Sequence, residues 1–100
     1  MTYTEPLRTL LVSKLEEFYK LYGYDLNEDD THDKSYEFAR DNSYVSTFSD
    51  ISPYASDPYF IDAVNYCISD STEPITYSRF IPICDEALGD LIHDYIISNY

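Results

Sequence analysis

Glu86, Asp90 and Asp94 stand four residues apart, and no Lys or Arg lies among residues 80–100 to offset them. On a helix such positions share one face, and each four-residue step rises about 6 Å. That spacing is comparable to the separation of successive phosphates on a nucleic-acid strand. Like-charged pairs at i, i+4 cost a helix roughly 0.2 to 0.5 kcal/mol each, so the row points to binding of a cation-rich surface rather than to folding. Asp41, Asp50, Asp57, Asp62, Asp70 and Glu73 precede it, and no Lys or Arg occurs between Arg40 and Arg79.

Other residue types that do chemistry are present without the company they need. His32 and His93 each neighbour an Asp, yet no candidate nucleophile, glycine-rich phosphate loop or metal-ligand spacing accompanies them. With two glycines in the chain, close backbone approach to a cofactor is not provided for. No catalytic residue, metal ligand or cofactor is therefore expected. Asp25, Asn27 and Asp29 reproduce the opening of a calcium-binding EF-hand loop, but Asp30 replaces its turn glycine and Tyr36 its bidentate Glu, which leaves at most weak adventitious cation binding. Cys67 and Cys84 lie in apolar stretches with no C-x-x-C pair and are expected as buried free thiols.

Nineteen Asp and Glu against six Lys and Arg give a formal net charge of -13. A polyphosphate or an anionic membrane is repelled by such a chain within the Debye length of roughly 8 Å. The expected partner is a basic nucleic-acid-binding protein, with no direct nucleic-acid or membrane contact. A merely solvated acidic surface is the competing explanation, although solubility alone is met by a net charge of about 2 to 8 in a small domain. Twelve tyrosines and no tryptophan suit both interfaces and cation-π contacts. Tyr22, Tyr36 and Tyr95 read as packing residues, whereas Tyr24, Tyr54, Tyr59 and Tyr66, beside acids, read as interface candidates.

The elements that must position these groups are helical. One hundred residues with 44% hydrophobic content suffice for a modest core, and the fold class expected is mostly α, a small single-domain helical bundle of about four helices over residues 1–100. A first helix is predicted from Glu5 to Tyr22, with Thr4 as N-cap, Gly23 as stop, and a stripe of Leu7, Leu10, Leu11, Leu15, Phe18 and Tyr22. A polar loop from Tyr24 to Asp30 leads to a second helix over Thr31–Phe48, with Tyr36, Ala39, Tyr44, Val45 and Phe48 inward. Asp57-Pro58 opens a third helix, to Ser69, burying Phe60, Ile61, Val64 and Ile68. The last is predicted over Arg79–Ser98, with Ser78 as N-cap, Pro82 in the first turn, and Phe80, Cys84, Ala87, Leu88, Leu91, Ile92 and Tyr95 inward. The opening residues lack a signal-peptide pattern and no apolar run approaches 18 residues, so a cytoplasmic protein is expected, in the host cytoplasm if phage-encoded.

The run Asp29-Asp30-Thr31-His32-Asp33, followed by Ala39, the Asp41-Asn42 pair, aromatic residues and Asp50-Ile51, resembles the Ocr antirestriction proteins of bacteriophages over residues 29–51, with a one-residue shift in the middle. The resemblance implies a mostly helical dimer whose carboxylates imitate DNA phosphates and occupy the DNA groove of restriction enzymes. It would place Asp29, Asp30, Asp33, Asp41 and Asp50 on the mimic surface. The residues themselves add Asp57, Asp62, Asp70, Glu73, Glu86, Asp90 and Asp94, with Tyr54 and Tyr59. The expected function is inhibition of a DNA-binding host-defence protein, a restriction enzyme or a CRISPR effector. The alternative is an acidic adaptor or antitoxin-like module that binds through tyrosines. A homodimer, if formed, must use an apolar, acid-poor patch.

Overall fold

Residues 2–43 and 45–100 are described by the computed structural model. They form five α-helices and one 3-10 turn, with no strand among them. Helix α1 (Glu5–Tyr22) has the predicted bounds. Leu7, Leu11 and Phe18 are fully buried, and Leu10, Leu15 and Tyr22 pack against the core they enter. Gly23 ends the helix at φ 74°, where a Cβ is disfavoured, and its N–H donates to the Tyr19 carbonyl at 2.8 Å. Thr4 holds the N-cap position without capping. Its hydroxyl and backbone N–H both donate to Asp57 Oδ2 at 2.7 Å.

Helix α2 (Glu28–Asn42) begins three residues before the predicted Thr31 and ends before Phe48. Asn27 caps it, accepting from the Asp30 N–H at 2.8 Å, and Glu28, Asp29 and Asp30 in the first turn favour the helix dipole. The EF-hand-like spacing is thus a helix start. Past Asn42 the Val45 N–H is taken by the Asp85 carboxylate at 2.8 Å, and Thr47 with Asp50 forms a capping box that starts the short α3 (Phe48–Ile51). Competition from these side chains for backbone groups is what divides the predicted second helix. Its inner face is Thr31, Ser35, Phe38 and Ala39, whereas Tyr36 is 61% and Phe48 47% exposed. Val45 is buried outside any helix, and Tyr44 lies outside the described residues.

A 3-10 turn (Ser52–Tyr54) leads to α4 (Pro58–Asp70), which buries Phe60, Val64 and Cys67. Ile68 is half-buried, and Ile61, expected inward, is 43% exposed. Helix α5 (Tyr77–Asn99) starts two residues earlier than predicted, so Ser78 lies in its first turn, Thr76 holds the cap position and Pro82 falls in the helix interior. Ile83, Cys84, Ala87, Leu88, Ile92 and Ile96 are its buried residues, while Phe80, Leu91 and Tyr95 are half-buried. Helix α5 packs against α1, α2 and α4. Its contacts run opposite to the chain order of both α2 (Ser35 with His93, Val45 with Asp85) and α4 (Cys67 with Asp90, Ser71 with Arg79), so both neighbours are antiparallel to it. Among the described residues no helix is long and apolar enough to cross a membrane.

Asp57 cannot belong to a binding surface as expected from its charge. It is 0% exposed, and its carboxylate receives the Thr4 N–H and hydroxyl together with the N–H groups of Tyr59 and Phe60, tying the start of α1 to the start of α4. Burial raises its pKa, but the bonds from Thr4, Phe60 and Tyr59 outweigh that and hold it below the ordinary value. Its stabilisation is therefore present above the unfolded pKa and lost as pH falls through the lower native one. Asp57→Ala should lower stability by about 1 to 3 kcal/mol, and Ile92→Ala, at a fully buried site, by about 2 to 5 kcal/mol. Urea unfolding monitored by circular dichroism checks both.

Candidate functional site

Packing on both flanks leaves α5 a narrow solvent strip. Pro82, Glu86, Asp90, Asp94 and Ser98 are exposed at every fourth position, and the residues between them are buried or half-buried. Three consecutive positions of that strip are acids. Beside it, antiparallel α2 carries Asp33, Glu37 and Asp41, all exposed, at the same four-residue spacing. A groove of about 310 Å³ runs between the helices, lined by Tyr36, Arg40, Asp85, Glu86, Asp90 and His93 among others. Asp33, Glu37 and His32 border its continuation past His93. Arg40 is the Lys or Arg among these lining residues, and its Nε lies 3.5 Å from Asp41.

The expected site residues divide accordingly. Asp33, Glu86 and Asp90 meet at the groove, Asp94 continues the α5 strip, and Asp41 extends the α2 row. Asp29 and Asp30 are exposed in the first turn of α2. Asp62 and Asp70 are exposed on α4, and Glu73, in the following loop, lies 3.7 Å from Arg79. Asp50 is exposed, but its Oδ2 accepts the N–H groups of Ser46 and Thr47 at 3.0 Å, and these bonds lower its pKa. Tyr54 and Tyr59 are half-buried, with Tyr59 packed on Tyr3 at a ring separation of 4.3 Å. Among the described residues, the tyrosines that do face solvent are Tyr24, Tyr36, Tyr66 and Tyr77. Glu37 was identifiable from its spacing to Asp33 and Asp41. The role of Asp85 had no sequence signal, because its partner Val45 is 40 residues away.

Two histidines meet at the α2–α5 seam, with ring centroids 5.2 Å apart. The Ser35 hydroxyl donates to the His32 carbonyl at 3.0 Å and lies 3.0 Å from His93 Nδ1. A hydroxyl has one proton, so while it donates to that carbonyl its oxygen accepts from the His93 Nδ1–H. Ser35 is 0% exposed, and the bond serves packing. Burial lowers the His93 pKa, Asp94 raises it, His32 lowers it further, and Ser35 and Asp90 act upward without restoring the ordinary value. On the α4 side, Cys67 Sγ lies 3.7 Å from Asp90 Oδ2. Burial, then Asp90 and Glu86, push the Cys67 thiol up to about 12, and burial with Asp94 raises the Asp90 pKa. Cys84 is likewise a buried free thiol, raised by burial.

Comparison with protein-family models, with curated proteins and with solved structures finds no match to this chain.

The groove yields two expectations. A Cβ at Gly89 would stand 3.7 Å from the Ala39 carbonyl oxygen, an ordinary contact, so Gly89→Ala should raise stability by about 0.5 to 1 kcal/mol, measured by urea unfolding. The native state binds the His93 proton less readily than the unfolded chain. Its contribution to stability is therefore complete above about pH 6.5 and lost as pH falls through the lower native pKa. Unfolding free energies at about pH 7.5 and 5.5 should fall for the native chain and change less for His93→Gln.

Proposed function

We propose that this chain binds the basic DNA-binding surface of a nucleic-acid-binding protein by presenting a DNA-like array of carboxylates, and that it inhibits a host-defence protein, a restriction enzyme or a CRISPR effector. The observation that supports the reading is the pair of acid rows, Asp33, Glu37, Asp41 and Glu86, Asp90, Asp94, on adjacent antiparallel helices. Each row has a rise of about 6 Å per step, and two rows flanking a groove offer a guanidinium-rich surface a two-stranded pattern of charge. The exposed Tyr36 within the groove adds a ring for cation-π contact. Exposed single ion pairs contribute little to stability, so most of this charge is free to act in association, where complementarity acts on rate and specificity.

A second reading rests on a separate surface. Phe48, Ile51, Ala55, Phe60, Ile61, Val64 and Phe80 line an apolar cleft of about 290 Å³ without a charged residue in its lining. An adaptor, or a homodimer, would use that cleft, and its affinity would respond weakly to salt.

Competition binding against duplex DNA on a restriction enzyme or CRISPR effector separates the two. The chain should displace DNA, with affinity falling steeply between about 50 and 200 mM salt. The triple variant Glu86→Gln, Asp90→Asn, Asp94→Asn removes two unfavourable i, i+4 pairs, so its thermal midpoint should be equal or slightly higher, while its affinity drops about ten-fold or more. Unchanged binding by that variant, or an affinity indifferent to salt, rules the reading out.

A further inference from the structure

We propose that Cys67, Glu86 and Asp90 form a site for a borderline divalent metal ion of the Zn²⁺ or Co²⁺ kind, built between α4 and α5. One ligand atom from each residue, the Cys67 sulfur and a carboxylate oxygen of Glu86 and of Asp90, lies within 4.8 Å of the other two. Glu86 and Asp90 are i, i+4 on α5, the spacing that lets two side chains of one helix converge on a single ion. Cys67 comes from the facing antiparallel helix, which is how helical bundles assemble metal sites.

The geometry is close to that of a bound state. A tetrahedral ion with a metal–sulfur distance of about 2.3 Å and metal–oxygen distances of about 2.0 to 2.2 Å has a sulfur–oxygen edge of about 3.5 Å. The Cys67 Sγ to Asp90 Oδ2 separation is 3.7 Å. Glu86, exposed and one turn before Asp90 on α5, has a carboxylate oxygen within 4.8 Å of both other ligand atoms. Cys67 is 7% exposed while both carboxylates face solvent, so an ion enters past the carboxylates, meets the sulfur as its inner ligand and leaves the fourth position to water.

Arg40, which lines the groove beside these acids, is turned to Asp41 at 3.5 Å. Asp70 and Asp94 add negative potential to the Cys67–Asp90 pair, and among the described residues no Lys or Arg forms an ion pair with Glu86 or Asp90. A thiolate among carboxylates favours borderline ions over Mg²⁺ and Ca²⁺, which take oxygen ligands. On binding, the thiol proton leaves to solvent and the sulfur donates an electron pair to the ion, with no change of oxidation state. The site shares Glu86 and Asp90 with the acidic surface but does not depend on that surface having a partner.

Titration of the reduced full-length chain with Co²⁺, in excess Mg²⁺, tests the assignment without any partner protein. Thiolate-to-cobalt absorption in the near ultraviolet should saturate at one ion per chain and be abolished by Zn²⁺. Cys67→Ser should remove the band. Asp90→Asn and Glu86→Gln, at exposed positions that spare the core, should each weaken Co²⁺ binding by about ten-fold or more, with the far-ultraviolet circular dichroism of the metal-free variants unchanged. Absence of the band, its persistence in Cys67→Ser, or unaltered affinity in both carboxylate variants overturns the site.

Discussion

Helix α5 is the element on which the rest of the molecule is assembled. It packs against α1, α2 and α4, and its buried residues, Ile83, Cys84, Ala87, Leu88, Ile92 and Ile96, belong to the same core as those of all its neighbours. A helix covered on so many sides has room for one solvent-facing residue per turn. That restriction confines its central acids to a single line and sets the α2 acids alongside it. The charge pattern at the groove is therefore a consequence of how α5 is buried.

The acids do not form one population. Asp57, Asp50 and Asp85 are engaged with backbone N–H groups and make the turns and helix starts that join the elements. Asp57 in particular unites the beginnings of two helices 53 residues apart in sequence. The acids of the groove accept little from the protein itself. Glu37 lies 3.8 Å from Lys34 in an exposed i, i+3 pair, of a kind that adds at most about 1 kcal/mol. The distinction between a carboxylate that folds the chain and one that faces outward is made by whether a backbone donor lies within reach.

Between those two populations stand the groups at the seams of α5. His93 on the α2 side and Cys67 on the α4 side are partly withdrawn from water, the exposed Asp90 touches the Cys67 thiol, and each has its protonation equilibrium displaced toward the neutral form. Desolvation at a helix–helix seam disfavours charge of either sign. These seams, rather than the outer faces of the helices, are where the acidic surface acquires groups with unusual chemistry.

The sequence by itself determined the helical class, the bounds of α1, the start of α4 at Asp57-Pro58, the free buried thiols and the exposure of Glu86, Asp90 and Asp94. All of these follow from local rules, namely three- and four-residue periodicity, capping residues and proline or glycine at a terminus. Tertiary structure decided what depends on residues distant in the chain. The break after Asn42 comes from Asp85 taking the Val45 N–H, and the burial of Asp57 comes from Thr4. The inward turn of Phe38 instead of Tyr36 follows from the face of α2 that packs on α5, where Thr31, Ser35, Phe38 and Ala39 are buried. The meeting of Cys67 with Glu86 and Asp90 has the same origin. No spacing rule along one helix brings the Cys67 sulfur to those carboxylates; only the antiparallel packing of α4 on α5 does, because a ligand set shared by two helices is fixed by their register and not by either sequence alone.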